Sequence, residues 1–339
     1  VDTGGDRVVN MIDWGTSFEA ATPALRELTA KAPTSIGLRR QLETGELPMV
    51  LGAYDTEYIL ASIRKYPAIL HMDSNNAVSS FLRAEIKRRV DFKDVERLVG
   101  EGNARRIYEL AEQDERWWYG EREQIVSNLA ISHAHVDHVG DVPFLDRRVV
   151  MWGTAETMAH LRAMTRRGKS WTNRYEYVSL VTQDKDGAAY RREYRDAYPT
   201  YWSGQRVRIG EGLAVEFSLA NHSMTGMAMV GVRDEEGKGL MLYTGDVKPG
   251  NWTEKTVNRL AGEYPVIVME TTNLEDAAKP SSGVTEQMVR DTLLDRIREA
   301  GRDTVVVVAP ANHLERLQSI GEVAEAAGRK VAIGPAHAE

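Results

Sequence analysis

The 339-residue chain is 42% hydrophobic and 27% charged, carries a formal net charge of -7 and contains no cysteine. Its length suffices for a substantial core, and the missing cysteines exclude a disulfide scaffold, thiolate-bound zinc, an iron–sulfur cluster and a thiol nucleophile. The acidic balance excludes a global attraction for nucleic acid but leaves room for a local basic groove; with no 18-residue apolar run and no signal-like start in VDTGGDRVV, a cytoplasmic protein with no membrane contact is expected.

In chain order, Val8 to Asp13 is a short apolar run ending in an acid, which reads as a strand presenting Asp13. From Phe18 to Gly120 the texture is helical. Pro23 to Lys31, Asp55 to Tyr66, Ser79 to Arg89 and Asn103 to Gln113 repeat apolar residues at three- and four-residue spacing, and Asp91 to Gly102 fits a short helix or a turn. Trp117, Trp118 and Tyr119 are expected to pack within this helical stretch. Val126 to Ser132 is a strand that runs into HAHVDHVGDVPFL, and Val149 to Trp152 is another. Thr154 caps a helix over Ala155 to Met164. Arg166 to Pro199 is polar and rich in Tyr and Arg, as in a surface hairpin or a flap.

Leu213 to Leu219, Met227 to Val232 and the run LMLYTGD are strands, with a turn at Asp234 to Gly239. Val266 to Glu270 is a further apolar strand ending in an acid. Val284 to Ala300 is an amphipathic helix with Val284, Met288, Leu294 and Ile297 on one face, stopped by Gly301. Thr304 to Ala309, Leu314 to Ala327 and Lys330 to Ile333 then follow as strand, helix and strand, the order of a parallel α/β unit.

The densest chemistry lies just after the Val126 strand. Three of the eight histidines, His133, His135 and His138, fall within six residues together with Asp137, spaced H-x-H-x-D-H. In an extended segment, residues two apart share a side, so His133 and His135 can meet one cation while Asp137 and His138 reach a second. Imidazole and carboxylate suit zinc or manganese, and no soft ligand exists in the chain. A solvated loop that merely contains histidines is the alternative. His222 follows one strand and can supply a third nitrogen. Asp246 ends another, and its two oxygens can bridge two cations. Asp13 suits orienting a ligand histidine rather than binding metal itself.

SHAHVDHVGD, with Asp13 in MIDWG, His222 in NHSMTG, Asp246 in YTGD and Glu270 in METTN, resembles the metallo-β-lactamase superfamily. Glu270 is similar to the acid that opens its nucleic-acid-processing β-CASP branch, and the chain resembles the ribonuclease J-like members of that branch. The match is dense from Asn128 to Ile333 and point-like from Val8 to Gly15. The resemblance implies an α/β fold, the αββα sandwich of that superfamily, with the start of a β-CASP-like α/β insert. Residues 1–270 would form the lactamase-like domain, with an enlarged helical insertion over 18–120, and 271–339 would begin the β-CASP-like domain. The family's later histidine motifs do not appear before Glu339, and His337 in PAHAE is a poor substitute. A piece of a longer chain, cut at both ends, is therefore expected.

The function so implied is hydrolysis of RNA phosphodiesters, internally or from the 5′ end, by a metal-activated water. Two divalent cations, zinc or else manganese, would sit on His133, His135, Asp137, His138, His222 and Asp246. Asp137, Asp246 and Glu270 would be catalytic. Single-stranded RNA is the expected partner, and a homo-oligomer is compatible with the sequence. Arg166, Arg167, Lys169, Trp171 and Arg174 form one basic–aromatic patch suited to phosphate and bases. Arg191, Arg192, Tyr194 and Arg195 form a second, interrupted by Glu193 and Asp196. His313 belongs to a helix start, which Asn312 could cap. The competing functions are a small-molecule hydrolase acting on a thioester, lactone or β-lactam, and an inactive RNA-binding partner with an incomplete site.

Overall fold

Leu129 and Ala130 are neighbours in one strand yet face different cores, because successive side chains of a strand point to opposite sides. The computed structural model describes residues 7–15, 37–65, 76–119, 124–166, 179–183, 190–194, 197–210, 212–248, 250–270, 285–309 and 313–333. Among them, β1 (Arg7–Ile12), β2 (Gln124–Ala130) and β3 (Val150–Thr154) run parallel in one sheet. β4 (Ser179–Gln183) and β5 (Tyr190–Tyr194) form a separate antiparallel hairpin. β6 (Ala197–Thr200) returns to the parallel sheet beside β3. The second sheet pairs β7 (Gln205–Arg208), β8 (Leu213–Leu219), β9 (Ala228–Asp234) and β10 (Gly239–Tyr243) antiparallel, and β11 (Ile267–Val268) adds in parallel to β10.

Helices cover both outer faces. α1 (Leu38–Thr44), α2 (Thr56–Lys65), α3 (Ala77–Arg89), α4 (Phe92–Val99) and α5 (Glu101–Trp118) precede β2. The short α6 (Val136–Val139) follows it, and α7 (Ala155–Arg166) follows β3. Phe81, Leu82, Ile107 and Leu161 from these helices pack with Leu129 and Met151 on the outer face of the parallel sheet. Between the sheets lie Ile12, Ala130, Trp152, Val215, Phe217, Ala228 and Val230. On the far side Met227, Met229 and Leu242 meet Leu260 of α8 (Asn251–Leu260) and Tyr264. The result is an α/β sandwich of αββα type, as expected from the sequence. No helix among the described residues is long and apolar enough to cross a membrane.

The helical texture before β2 is present in residues 37–65 and 76–119, and residues 91–102 form α4 and the start of α5. The expected helix over 23–31 lies outside the described residues. Trp118 and Tyr119 pack as expected: the Trp118 indole donates to Ser80 Oγ at 3.0 Å and lies edge-on to Phe81, and Tyr119 is buried. Trp117 instead stands 73% exposed. Thr154 does cap α7, its Oγ1 accepting from Thr157 N at 3.2 Å.

Two expectations are corrected. Residues 197–199, read as the end of a polar surface hairpin or flap, lie with Thr200 in a strand of the parallel sheet. Pro199 fits there because β6 is the last strand of its sheet, where a missing N–H costs no ladder bond. Conversely, 304–309 and 330–333 flank a helix but form no β-ladder among the described residues. α9 (Glu286–Glu299) and α10 (Leu314–Ala326) cover one side of these segments around a cavity of about 420 Å³. The other side is open, leaving Val306 81% and Val308 93% exposed. β-branched composition alone does not make a strand without a neighbour to share its N–H and C=O groups. In α9, Ile297 is buried but Met288 is exposed, so the apolar face is narrower than its spacing suggested.

A buried charge network braces the second sheet. Glu216 accepts from Arg206 Nε at 3.0 Å, Arg233 Nε at 2.8 Å and Arg259 Nη1 at 2.6 Å. Arg233 is itself buried. Glu216→Ala removes the carboxylate that compensates it, and a loss of about 3 kcal/mol is expected. Urea unfolding followed by circular dichroism measures this, and a variant as stable as the parent would contradict the assignment.

Candidate metal centre

The parallel strands β1 and β2 end at the same edge, and the chain leaving each carries polar groups. Asp13 follows β1 with φ 53°, a left-handed backbone that aspartate tolerates better than most residues. This bend turns its carboxylate onto the segment after β2. Oδ1 accepts from Ser132 N at 2.7 Å, and Oδ2 accepts from Ser132 Oγ at 2.6 Å and from His138 Nδ1 at 2.7 Å. Gly15 sits so close to that segment that an added Cβ would lie 1.9 Å from the Asp137 carbonyl oxygen. Only glycine fits there.

These bonds choose the histidine tautomers. Ser132 Oγ gives its one proton to Asp13, so it must accept from His133 Nδ1, 3.0 Å away. His133 therefore offers the lone pair of Nε2. His138 likewise spends Nδ1 on Asp13 and directs Nε2 toward Asp246.

Two clusters result. In the first, His135 Nδ1 lies 3.0 Å from both His133 Nε2 and His222 Nε2. Asp246 Oδ2 is 3.9 Å from each of those two Nε2 atoms. Ligands of a tetrahedral zinc with bonds of ~2.0–2.1 Å stand roughly 3.3 Å apart, so the spacing suits one cation. One shared proton can satisfy only one of the two nitrogen–nitrogen contacts, whereas a cation satisfies the whole set. In the second cluster, Asp246 Oδ1 is 3.2 Å from His138 Nε2, and Asp137 Oδ2 is 3.6 Å from the same nitrogen. Asp246 thus turns one oxygen to each cluster. Both sets can hold a metal ion.

Electrostatics separate the two clusters. Burial, reinforced by the neighbouring imidazoles, holds His133 far below the usual histidine range. Burial lowers His135 as well, and burial together with His135 brings His222 down to about 4. All three are neutral and ready to donate lone pairs. Burial acts the same way on His138, but hydrogen bonds to Asp13 and Asp246 outweigh it and push that imidazole up to about 10. The His138 hydrogen bond in turn lowers Asp246 against its own burial.

The loops bearing these ligands are tied together. Asn221 Oδ1 accepts from Trp252 N at 2.9 Å and Thr253 N at 3.2 Å at the start of α8, and Lys248 N donates to the Asn221 carbonyl at 2.9 Å. The loops of His222 and Asp246 are therefore fixed to each other. Glu270, expected among the reacting groups, accepts from Val247 N at 3.1 Å and so anchors the loop that follows Asp246.

Seven residues singled out from the sequence lie together at this edge: Asp13, His133, His135, Asp137, His138, His222 and Asp246. Sequence reasoning missed Ser132, Asn221 and Lys248, although each is adjacent or nearly so to a ligand. Of the first basic patch, Arg166 ends α7 and Arg167, Lys169, Trp171 and Arg174 lie outside the described residues. Arg191, Arg192 and Tyr194 are in β5, and Arg195 is outside. His313 holds the N-cap position of α10, as expected of a helix start, and Asn312 is outside the described residues. A third group, Glu286, His313 and Glu315, has metal-like spacing. Its carboxylates are already engaged, Glu286 by Arg316 Nε at 2.7 Å and Glu315 by Lys248 Nζ at 2.9 Å. It reads as an ion-pair junction.

No family model matches the chain. Ribonuclease J of Pyrococcus abyssi is 28% identical over 227 residues, covering 62% of this chain and 44% of that protein. Ribonuclease J of Mycobacterium tuberculosis is 29% identical over 220 residues, covering 61% of this chain and 33% of that protein. The matched part thus spans less than half the length of these curated relatives. A crystal structure of a protein of unknown function from Enterococcus faecalis V583 superposes with a TM-score of 0.54 at 16% identity, over 93% of this chain and 57% of that one, a likeness of fold. The chain is thus weakly similar in sequence to ribonuclease J over about three-fifths of its length. Its His and Asp clusters support metal-dependent hydrolase chemistry in general.

The charge states predict how metal binding is linked to protons. The first ion meets three neutral imidazoles and should displace no proton from them. The second meets His138, which keeps its proton up to about pH 10 in the metal-free protein, and should expel about one. Because the proton competes with the second ion, raising the pH from 6 to 9 should tighten that binding roughly tenfold per unit. The first affinity should barely move above the usual histidine range. Zinc calorimetry in buffers of different ionisation enthalpy measures both, and equal proton release in the two events would contradict the assignment.

Proposed function

We propose that the protein is a two-metal hydrolase that cleaves phosphodiesters of single-stranded RNA. The observation that carries this reading is the division of Asp246 between a three-histidine cluster and the Asp137–His138 pair. The sequence similarity to ribonuclease J supports RNA as the substrate class. Two divalent cations bound there, zinc or manganese, would polarise the phosphate and make water nucleophilic near neutral pH.

The residues divide the work. His133, His135 and His222 hold the first ion, with Asp246 as the shared carboxylate. Asp137 and His138 complete the second set. Asp137 is exposed while His133 and His138 are buried, so its carboxylate faces the side from which a substrate enters. There it accepts a hydrogen bond from the attacking water and takes up its proton. Asp13 and Ser132 keep the two imidazoles in the ligating tautomer. Glu270 steadies the Asp246 loop. Arg166, Arg167, Lys169, Trp171 and Arg174 would hold the RNA strand by phosphate contact and base stacking.

The first ion has four protein ligand atoms and the second three, so the first should bind more tightly. Single-turnover cleavage of labelled single-stranded RNA, in zinc or manganese, tests the reading. His135→Ala and Asp137→Asn should each lower the rate by about 10³-fold, with the circular dichroism spectrum unchanged. Asp137→Asn that still cleaves at unchanged metal content removes Asp137 from its role. Hydrolysis of a lactone or thioester with RNA left intact would replace the substrate class.

A further inference from the structure

The metal-bearing loops leave one end of the parallel sheet, and a separate cavity of about 880 Å³ lies toward the other, beside Val126 of β2 and Val150 at the start of β3. Two pinned loops shape it. Asp55 N donates to the Phe144 carbonyl at 2.9 Å and Asp146 N to the Ala53 carbonyl at 2.7 Å, so the chain before α2 and the chain before β3 hold each other in place. Arg88 and Arg89, at the end of α3, add a further wall.

Four arginines line this space, Arg88, Arg89, Arg147 and Arg148, against two acids, Asp55 and Asp146. In a chain of net charge -7 that is a local excess of cations. The ion pairs are layered. Asp55, Asp146 and Glu85 are buried. Arg89 shows the pattern of an internal brace, largely buried itself and donating to Glu85 Oε2 at 2.6 Å and to Asp146. Arg148 holds Asp146 through Nε at 2.9 Å and Nη2 at 3.1 Å, and Arg147 Nε meets Asp55 Oδ2 at 3.2 Å. Arg148 and Arg147 nevertheless stay 73% and 40% exposed, against 8% and 4% for the carboxylates they hold. Each of these pairs turns its positive end outward.

A guanidinium fixed from behind by a buried carboxylate is in place before any ligand arrives, which lowers the ordering cost of binding. Its planar fork matches the oxygens of a phosphate. The volume falls in the ~300–1,000 Å³ range of small-ligand sites. We propose that this cavity is a phosphate-binding site separate from the metal centre, taking the phosphate groups of a nucleotide or of a nucleic-acid strand through Arg147 and Arg148. It requires neither a bound metal nor the hydrolytic reading above.

The test titrates the metal-stripped full chain with pyrophosphate by calorimetry at low and high salt. The parent should bind, more weakly as salt rises. Arg147→Ala and Arg148→Ala should each lower the affinity about tenfold. Arg148→Lys should restore only part of it, because an ammonium does not form the two-pronged contact. The thermal melt of Arg148→Ala should stay near that of the parent, since Arg89 still holds Asp146. Arg296→Ala removes a comparably exposed arginine from α9 and should change nothing. A parent that gives no heat with pyrophosphate overturns the proposal. Parent-like affinity in both Arg147→Ala and Arg148→Ala does so too, as does an equal loss in Arg296→Ala, which would mean that only general charge matters. Displacement of pyrophosphate by a single-stranded ribo-oligonucleotide without terminal phosphates identifies the strand as the ligand. Displacement by a nucleoside diphosphate and not by the oligonucleotide identifies the nucleotide, and displacement by neither overturns the assignment. Because the assay contains no metal, its outcome is separate from that of the RNA cleavage assay.

Discussion

One carboxylate has to satisfy donors from the segment after β2 and from α6, and the geometry of the candidate metal site follows from how it does so. Asp13 leaves β1 in a left-handed turn and receives Ser132 and His138. The strain of that turn, on the order of 1–2 kcal/mol, is offset by charge-assisted hydrogen bonds, which are the stronger kind. Gly15 completes the arrangement by letting the chain after Asp13 lie directly on the Asp137–His138 backbone.

The consequence is electrostatic as well as steric. His133, His135 and His222 converge with their lone pairs inward, and burial keeps them neutral. An apolar surround would make three buried cations very costly, whereas three neutral donors around one cation satisfy both burial and charge. His138 lies only a few ångströms away yet has the opposite state, because Asp13 and Asp246 flank it. Asp246 connects the two regimes, one oxygen facing each. A site so divided would offer one cation mainly nitrogen and another mainly carboxylate.

Beyond β11 the chain is tied to this edge by a few polar contacts. Lys248, two residues past Asp246, bonds Glu315 at the start of α10, and Glu286 is gripped by Arg316. Glu270 anchors the backbone at Val247 between them. The loop that carries the shared carboxylate is thus held from both sides, by Asn221 toward α8 and by Glu315 toward the last helix pair.

Local pattern was enough for most of the strands and helices and for the candidate ligand residues. His133, His135, Asp137 and His138 are adjacent in sequence, and their spacing alone implies convergence on metal. His222 and Asp246 could be added because each follows an apolar strand. What the sequence could not contain is relative position across the fold. Nothing local distinguishes the run at 304–309 from a paired strand; its bare side shows only once its neighbours are placed. The end of the polar segment at 197–199 read as a hairpin or flap until β6 was seen to pair with β3. Ser132 reads as the last residue of a strand until its hydroxyl is seen between Asp13 and His133. The sequence by itself determined which chemical groups are available and which secondary structure carries them. The tertiary structure alone decided the tautomers, the division of Asp246 and the charge of His138, because burial and hydrogen-bond partners arise from chain segments more than 100 residues apart, as between Asp13 and His138.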